Sequence, residues 1–157
     1  MSAQTTGVSV TVNNRQRRWK INTRLLARIA ERTLELVGNP QATLSVAIVS
    51  DAIIAKLNAR YHNTPGPTDI LSFDYGEGQG ELIISVEHAV AQANRFRTTP
   101  ARELVLYVVH GILHLHGYND HKLPDRRRMR AAERRLMACL ASGFKLQEVI
   151  FRRASGR

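Results

Sequence analysis

The stretch His110-Gly-Ile-Leu-His114-Leu-His116-Gly117-Tyr-Asn-Asp-His121 holds four of the chain's six histidines within twelve residues. The first two fall in a run made apolar nearly all round by Leu104, Val105, Leu106, Tyr107, Val108, Val109, Ile112, Leu113 and Leu115. That pattern belongs to a helix enclosed by the core. Residues i and i+4 share one helix face, so the imidazoles of His110 and His114 can reach a single ion. Gly117 can end the helix in the left-handed conformation and turn the chain back. His121 or His116 then becomes available as a third ligand. Three neutral imidazoles with an open fourth position are the usual protein contribution to a catalytic zinc. The stretch therefore points to a metal-dependent hydrolase.

Working outward, Thr99 and Pro100 open this central helix as N-cap and first helical residue. The last long helix starts at Pro124 or Asp125 and runs to about Ser142, with Gly143 as its stop. Upstream, Val8 to Val12 alternates as a first strand, and Asn22 caps a helix that reaches Val37 before Gly38. Leu44 to Val49 reads as a second strand, and Ser50 or Asp51 caps a short helix ending near Tyr61. Asp69 to Phe73 and Glu81 to Ser85 are strands three and four, joined by the glycine-rich run Gly76 to Gly80 as a hairpin or flexible loop. Ser85 can cap a further helix. The order predicts a single α+β domain over residues 1–157: a mixed, roughly four-stranded sheet on about five helices, with a zincin-like central helix carrying the metal ligands. Lys145 to Arg157 reads as a basic tail, partly disordered.

At 157 residues, with 43% apolar and 23% charged side chains, the chain can bury one ordinary globular core. No apolar run reaches the length of a membrane span, and the first residues lack a secretory signal pattern. Cys139 is the single cysteine, which suits a reducing compartment such as the cytoplasm. Its neighbours Leu136, Met137 and Leu140 suggest a buried thiol. The 23 Lys and Arg against 13 Asp and Glu leave a formal charge of +10, an excess that attracts polyanions, nucleic acid above all.

A lone histidine on a buried helix is usually a hydrogen-bonded core residue. Two at helical spacing, with more past a glycine turn, are better explained by coordination, since an unpaired buried ring costs about 1–3 kcal/mol. The spacing of both histidines and the glycine matches metzincin proteases, but Gly111 stands where those enzymes keep a general-base glutamate. Proteolysis by that route is excluded.

The histidine block, the block Leu57-Asn58 through Tyr61 and Pro67-Thr68-Asp69-Ile70-Leu71-Ser72-Phe73, and the block Gly80-Glu81-Leu82-Ile83-Ile84-Ser85 occur in this order over roughly residues 50–135. In these blocks the chain resembles the YbeY family of bacterial endoribonucleases. The resemblance implies one zinc ion per chain and metal-dependent cleavage of single-stranded RNA. It also implies action at the 3′ end of small-subunit (16S) ribosomal RNA and in ribosome quality control, with the small subunit as partner and no specificity for DNA. Two departures stand out. One extra residue, Asn119 or Asp120, precedes His121, and His62 occupies a position where relatives commonly carry arginine. An alternative reading is a zinc-stabilised ribosome-assembly factor that binds RNA and cleaves it weakly or not at all.

The candidate metal ligands are thus His110, His114 and His121, and the candidate catalytic residues are His62 and Asp120. Glu81 is a further carboxylate near in sequence. Arg126, Arg130 and Arg134 recur every four residues on the last helix, a stripe suited to a phosphate backbone. Arg15, Arg17, Arg18, Arg152 and Arg153 can extend it. Thr68 and Ser72, with Asp69, can line the RNA groove, orient a ligand or simply cap a turn. Tyr61, Phe73 and Tyr118 are either base-stacking or core residues.

Overall fold

A computed structural model describes residues 7–39, 42–62 and 70–152. Thr68, Asp69 and Arg153 lie outside the described residues. Three strands, β1 (Ser9–Asn14), β3 (Thr43–Val49) and β5 (Gln79–Ser85), run parallel, and β4 (Ile70–Gly76) pairs antiparallel with β5 at the sheet edge, giving the order β1-β3-β5-β4. A separate two-stranded ribbon joins β2 (Trp19–Ile21) to β6 (Ile150–Arg152). Among the described residues there are five α-helices: α1 (Thr23–Leu36), α2 (Asp51–His62), α3 (Val86–Phe96), α4 (Pro100–Leu115) and α5 (Leu123–Gly143). The α+β class, the mixed four-stranded sheet and the five helices are as the sequence patterns predict. No helix among the described residues is long and apolar enough to cross a membrane.

Side-chain alternation divides the sheet between two cores. Val46, Ile48, Leu82 and Ile84 point into the larger one, with α1, α4 and α5. Ala47, Val49, Leu71 and Ile83 point into a smaller one with Ile54 of α2. Helix α4 lies against β4 and β5 through its glycine: a Cβ on Gly111 would sit 2.6 Å from Ile70 Cδ1 and 2.7 Å from Leu82 Cδ2. The residue that removes the protease glutamate is therefore also the one that lets the histidine helix reach the sheet.

The caps follow local chemistry. Asn22, Ser85 and Thr99 each accept from a backbone N–H three residues on, satisfying donors that a helix start leaves unpaired. The glycine-rich run forms a tight hairpin, with positive φ at both Glu77 and Gly78, as a type I′ turn requires.

Two expectations need correction. Residues 145–152 are not a loose tail: Leu146 and Val149 are buried, and β6 pairs with β2. Cys139 is exposed. Helix α5 buries Met129, Ala132, Leu136, Met137 and Leu140, and a residue next to Leu140 in sequence lies about 100° around the helix from it.

Candidate metal centre

Helix α4 delivers His110 and His114 one turn apart, and the chain then reverses over them. The Gly117 N–H donates to the His114 carbonyl at 3.2 Å and the Tyr118 N–H to the Leu113 carbonyl at 3.1 Å, with Gly117 at φ 90°. This is a Schellman ending, which needs a residue at ease in the left-handed region. Tyr118 closes it by packing against the core, so of the three suggested aromatics it is a scaffold residue. The reversal carries the following loop back across the histidines.

Three donor atoms converge there. His110 Nε2 and His114 Nε2 are 2.9 Å apart, and Asp120 Oδ2 lies 3.7 Å from the first and 3.8 Å from the second. His110, His114 and Asp120 form the one group of three potential ligands that converges in this way among the described residues. A point equidistant from the three atoms lies about 2.0 Å from each, the length of a zinc bond to nitrogen or carboxylate oxygen. Donor chemistry and spacing therefore fit a small divalent cation. The side chains are 21%, 27% and 40% exposed respectively, so solvent or substrate can approach a further coordination position.

The imidazoles are held from behind. His110 Nδ1 is 2.9 Å from Glu133 Oε1 on α5, and His114 has a backbone hydrogen bond to Tyr118. Burial pushes the His114 pKa down, and neighbouring His110 and His121 add to the effect, while Asp120 and the Tyr118 backbone oppose it. The net effect favours the neutral ring that can coordinate.

The other suggested residues are dispersed. His121 is exposed and outside the convergent group, although near enough for its charge to reach His114. His116 is occupied elsewhere: Nδ1 is 2.7 Å from the Ile112 carbonyl and Nε2 is 3.0 Å from Asn39 Nδ2. His62 is the last residue of α2. Ser72 lies on β4 opposite Leu82, on the sheet face that α4 covers. Glu81 is not in the cluster; it accepts from the Tyr75 hydroxyl at 3.0 Å. Arg126, Arg130 and Arg134 are all exposed. At 100° per residue, Arg126 and Arg130 lie about 20° and 60° around α5 from Glu133, and Arg134 about 100°. Tyr61 is 57% exposed, with its ring edge-on to Phe73 at 5.6 Å.

Glu133 is a participant that no motif in the sequence marks. Its signal was a charged residue within the apolar stripe of α5, a position where a carboxylate needs a partner.

Known proteins resemble this chain over most of its length. The family model described as Endoribonuclease YbeY matches residues 11–141. The protein named endoribonuclease YbeY of Geobacter metallireducens is 37% identical over 145 residues, covering 85% of this chain and 96% of that protein. Its namesake in Geobacter sulfurreducens is 36% identical over 148 residues, covering 87% and 98%. The solution structure of TM1509 from Thermotoga maritima superposes with a TM-score of 0.62 at 25% identity, covering 85% of this chain and 90% of that one.

Proposed function

The chain belongs to the Endoribonuclease YbeY family, and from that membership we propose that it is a zinc-dependent endoribonuclease of the cytoplasm. Its substrate is single-stranded RNA, with the 3′ end of small-subunit ribosomal RNA and ribosome quality control as its setting and the small subunit as its partner. The observation that carries this reading is the convergence of His110, His114 and Asp120 at the reversal after α4.

One zinc ion per chain would be held by His110, His114 and one residue of the loop that follows Gly117. When bound, it supplies Lewis acidity, acidifying a water and offsetting charge on a phosphoryl oxygen. Two assignments of the third ligand follow from the loop. Asp120 stands in place by distance. His121, the adjacent residue, takes the position if the loop turns by one residue, which releases Asp120 to act as the base that receives a proton from water. The Asp120 carboxylate lies within 4 Å of both rings.

Arg126, Arg130 and Arg134 grip the backbone phosphates of the strand, since a guanidinium fork matches phosphate geometry. Thr68, Ser72 and His62 are further candidates for RNA contact by their types alone, His62 standing where relatives carry arginine. A neutral histidine is a weaker phosphate grip than arginine, and this favours a second reading: a zinc-stabilised assembly factor that binds RNA and cleaves it weakly or not at all.

Single-turnover cleavage of a labelled single-stranded RNA tests both, with EDTA-treated protein and His114→Ala beside the unmodified chain. Cleavage that needs metal and disappears with His114→Ala supports the nuclease. Tight RNA binding without a metal-dependent product supports the assembly factor. Cleavage that survives in metal-free protein refutes the metal mechanism.

A further inference from the structure

Glu133 occupies an improbable place for a carboxylate. It lies within the stripe Met129, Ala132, Leu136, Met137 and Leu140 by which α5 packs on the core, and its side chain is only 16% exposed. Burying an ionised carboxylate is costly unless hydrogen bonds compensate it. Helix α5 is rich in arginine, yet among the described residues Glu133 makes no ion pair with any of them. Its partner is the ring of His110, at 2.9 Å from Nδ1.

The chemistry of that contact has a direction. A carboxylate oxygen accepts, so this contact suits the tautomer with the proton on Nδ1, which leaves the lone pair of a neutral ring on Nε2. Nε2 is the atom that faces His114 Nε2 at 2.9 Å and Asp120 Oδ2 at 3.7 Å. The contact also spans two helices, tying a ring on α4 to a backbone 23 residues further on. Such a contact restrains the ring's rotation as well as favouring that tautomer.

Resting on the metal reading above, we propose that Glu133 is a positioning residue of the centre. It holds His110 with Nε2 presented to the ion and sets a negative charge behind that ligand. It touches neither RNA nor ion, and acts through the imidazole.

The test uses the full chain as Glu133→Gln and Glu133→Ala, beside the unmodified protein and His114→Ala. Three quantities are measured: zinc affinity by competition with a chelating dye, the His110 tautomer in metal-free protein by long-range nitrogen–proton NMR, and thermal unfolding without metal. The glutamine variant keeps the shape, and its amide oxygen can still accept from Nδ1–H. It should retain the tautomer and bind zinc within a few-fold of the unmodified chain. The alanine variant should lose the single tautomer and bind zinc about ten- to a hundredfold more weakly, with metal-free unfolding little changed.

Full zinc affinity in Glu133→Ala, or an unchanged His110 tautomer, would overturn the proposal. So would a loss of affinity matched by an equal loss of metal-free stability, which marks a merely structural contact. No zinc uptake by the unmodified chain would overturn the metal reading and this inference together. Uptake that His114→Ala abolishes and Glu133→Ala leaves intact would overturn this inference alone.

Discussion

Gly111→Ala sets two effects of opposite sign against each other. Inside a helix, alanine is favoured over glycine by about 1 kcal/mol on propensity alone. At this position, however, the added Cβ would stand 2.6 Å from Ile70 Cδ1 and 2.7 and 3.0 Å from the two methyls of Leu82. Leu82 is fully buried, so its side chain can yield only by disturbing other core contacts. Overpacking of this kind costs about 1–3 kcal/mol. The atoms met are the ends of flexible side chains, which places the cost near the middle of that range and leaves a net loss of about 1 kcal/mol. For a domain of this size that is roughly 2–4 °C in Tm. Thermal unfolding of EDTA-treated protein, followed by circular dichroism, reads it without the added stability of a bound ion. Gly143→Ala is the control. It lies in the last turn of α5, where a Cβ would meet nothing within 4 Å, and it should be neutral or slightly stabilising. If Gly111→Ala instead gains the 1 kcal/mol that propensity offers, the close approach of α4 to β4 and β5 is not what requires glycine there. A glutamate, as proteases carry at this point of the motif, would need far more space than a methyl group.

Other consequences are as direct. Asp120→Asn and His121→Ala should separate the two loop ligands: zinc in a four-ligand protein site is worth about 10–16 kcal/mol, so losing one ligand costs roughly two to three orders of magnitude in affinity. The loss should fall on one variant only, and no loss in either would remove both from the coordination sphere. Because the His114 pKa is lowered in the folded chain, unfolded chains take up its proton first. Metal-free stability should then decline as pH falls below about 6.5 and level off below the folded pKa. His114→Ala should flatten that part of the profile, as urea unfolding at a series of pH values would register. Replacing Arg126, Arg130 and Arg134 together by alanine should reduce the slope of log affinity for single-stranded RNA against log salt by about 2; an unchanged slope would take the stripe off the RNA path.

Local chemistry explains which parts of this molecule could be read in advance. The caps at Asn22, Ser85 and Thr99 and the helix stop at Gly117 depend on residues within five positions of one another, and each was visible as a sequence signal. So were the sheet strands, whose alternation is a local property. The ribbon of β2 and β6 was not: each strand has three residues, and they meet from opposite ends of the chain, too short for periodicity to register. Cys139 is exposed although nearby Leu136, Met137 and Leu140 are buried, because burial on a helix follows angle and not adjacency. At the centre the division is the same. The spacing of His110 and His114 put both rings on one face of α4, but the side chain that completes the group is decided by the turn of a loop, and Asp120 and His121 are adjacent in it. Glu133 combines the two cases. Its place in an apolar stripe marked it as needing a partner, yet the partner lies on another helix, and only the packing of α5 against α4 could name it. A titratable residue on the buried face of a helix is thus a half-finished statement about a site, and the tertiary contact that completes it identifies the ligand it serves.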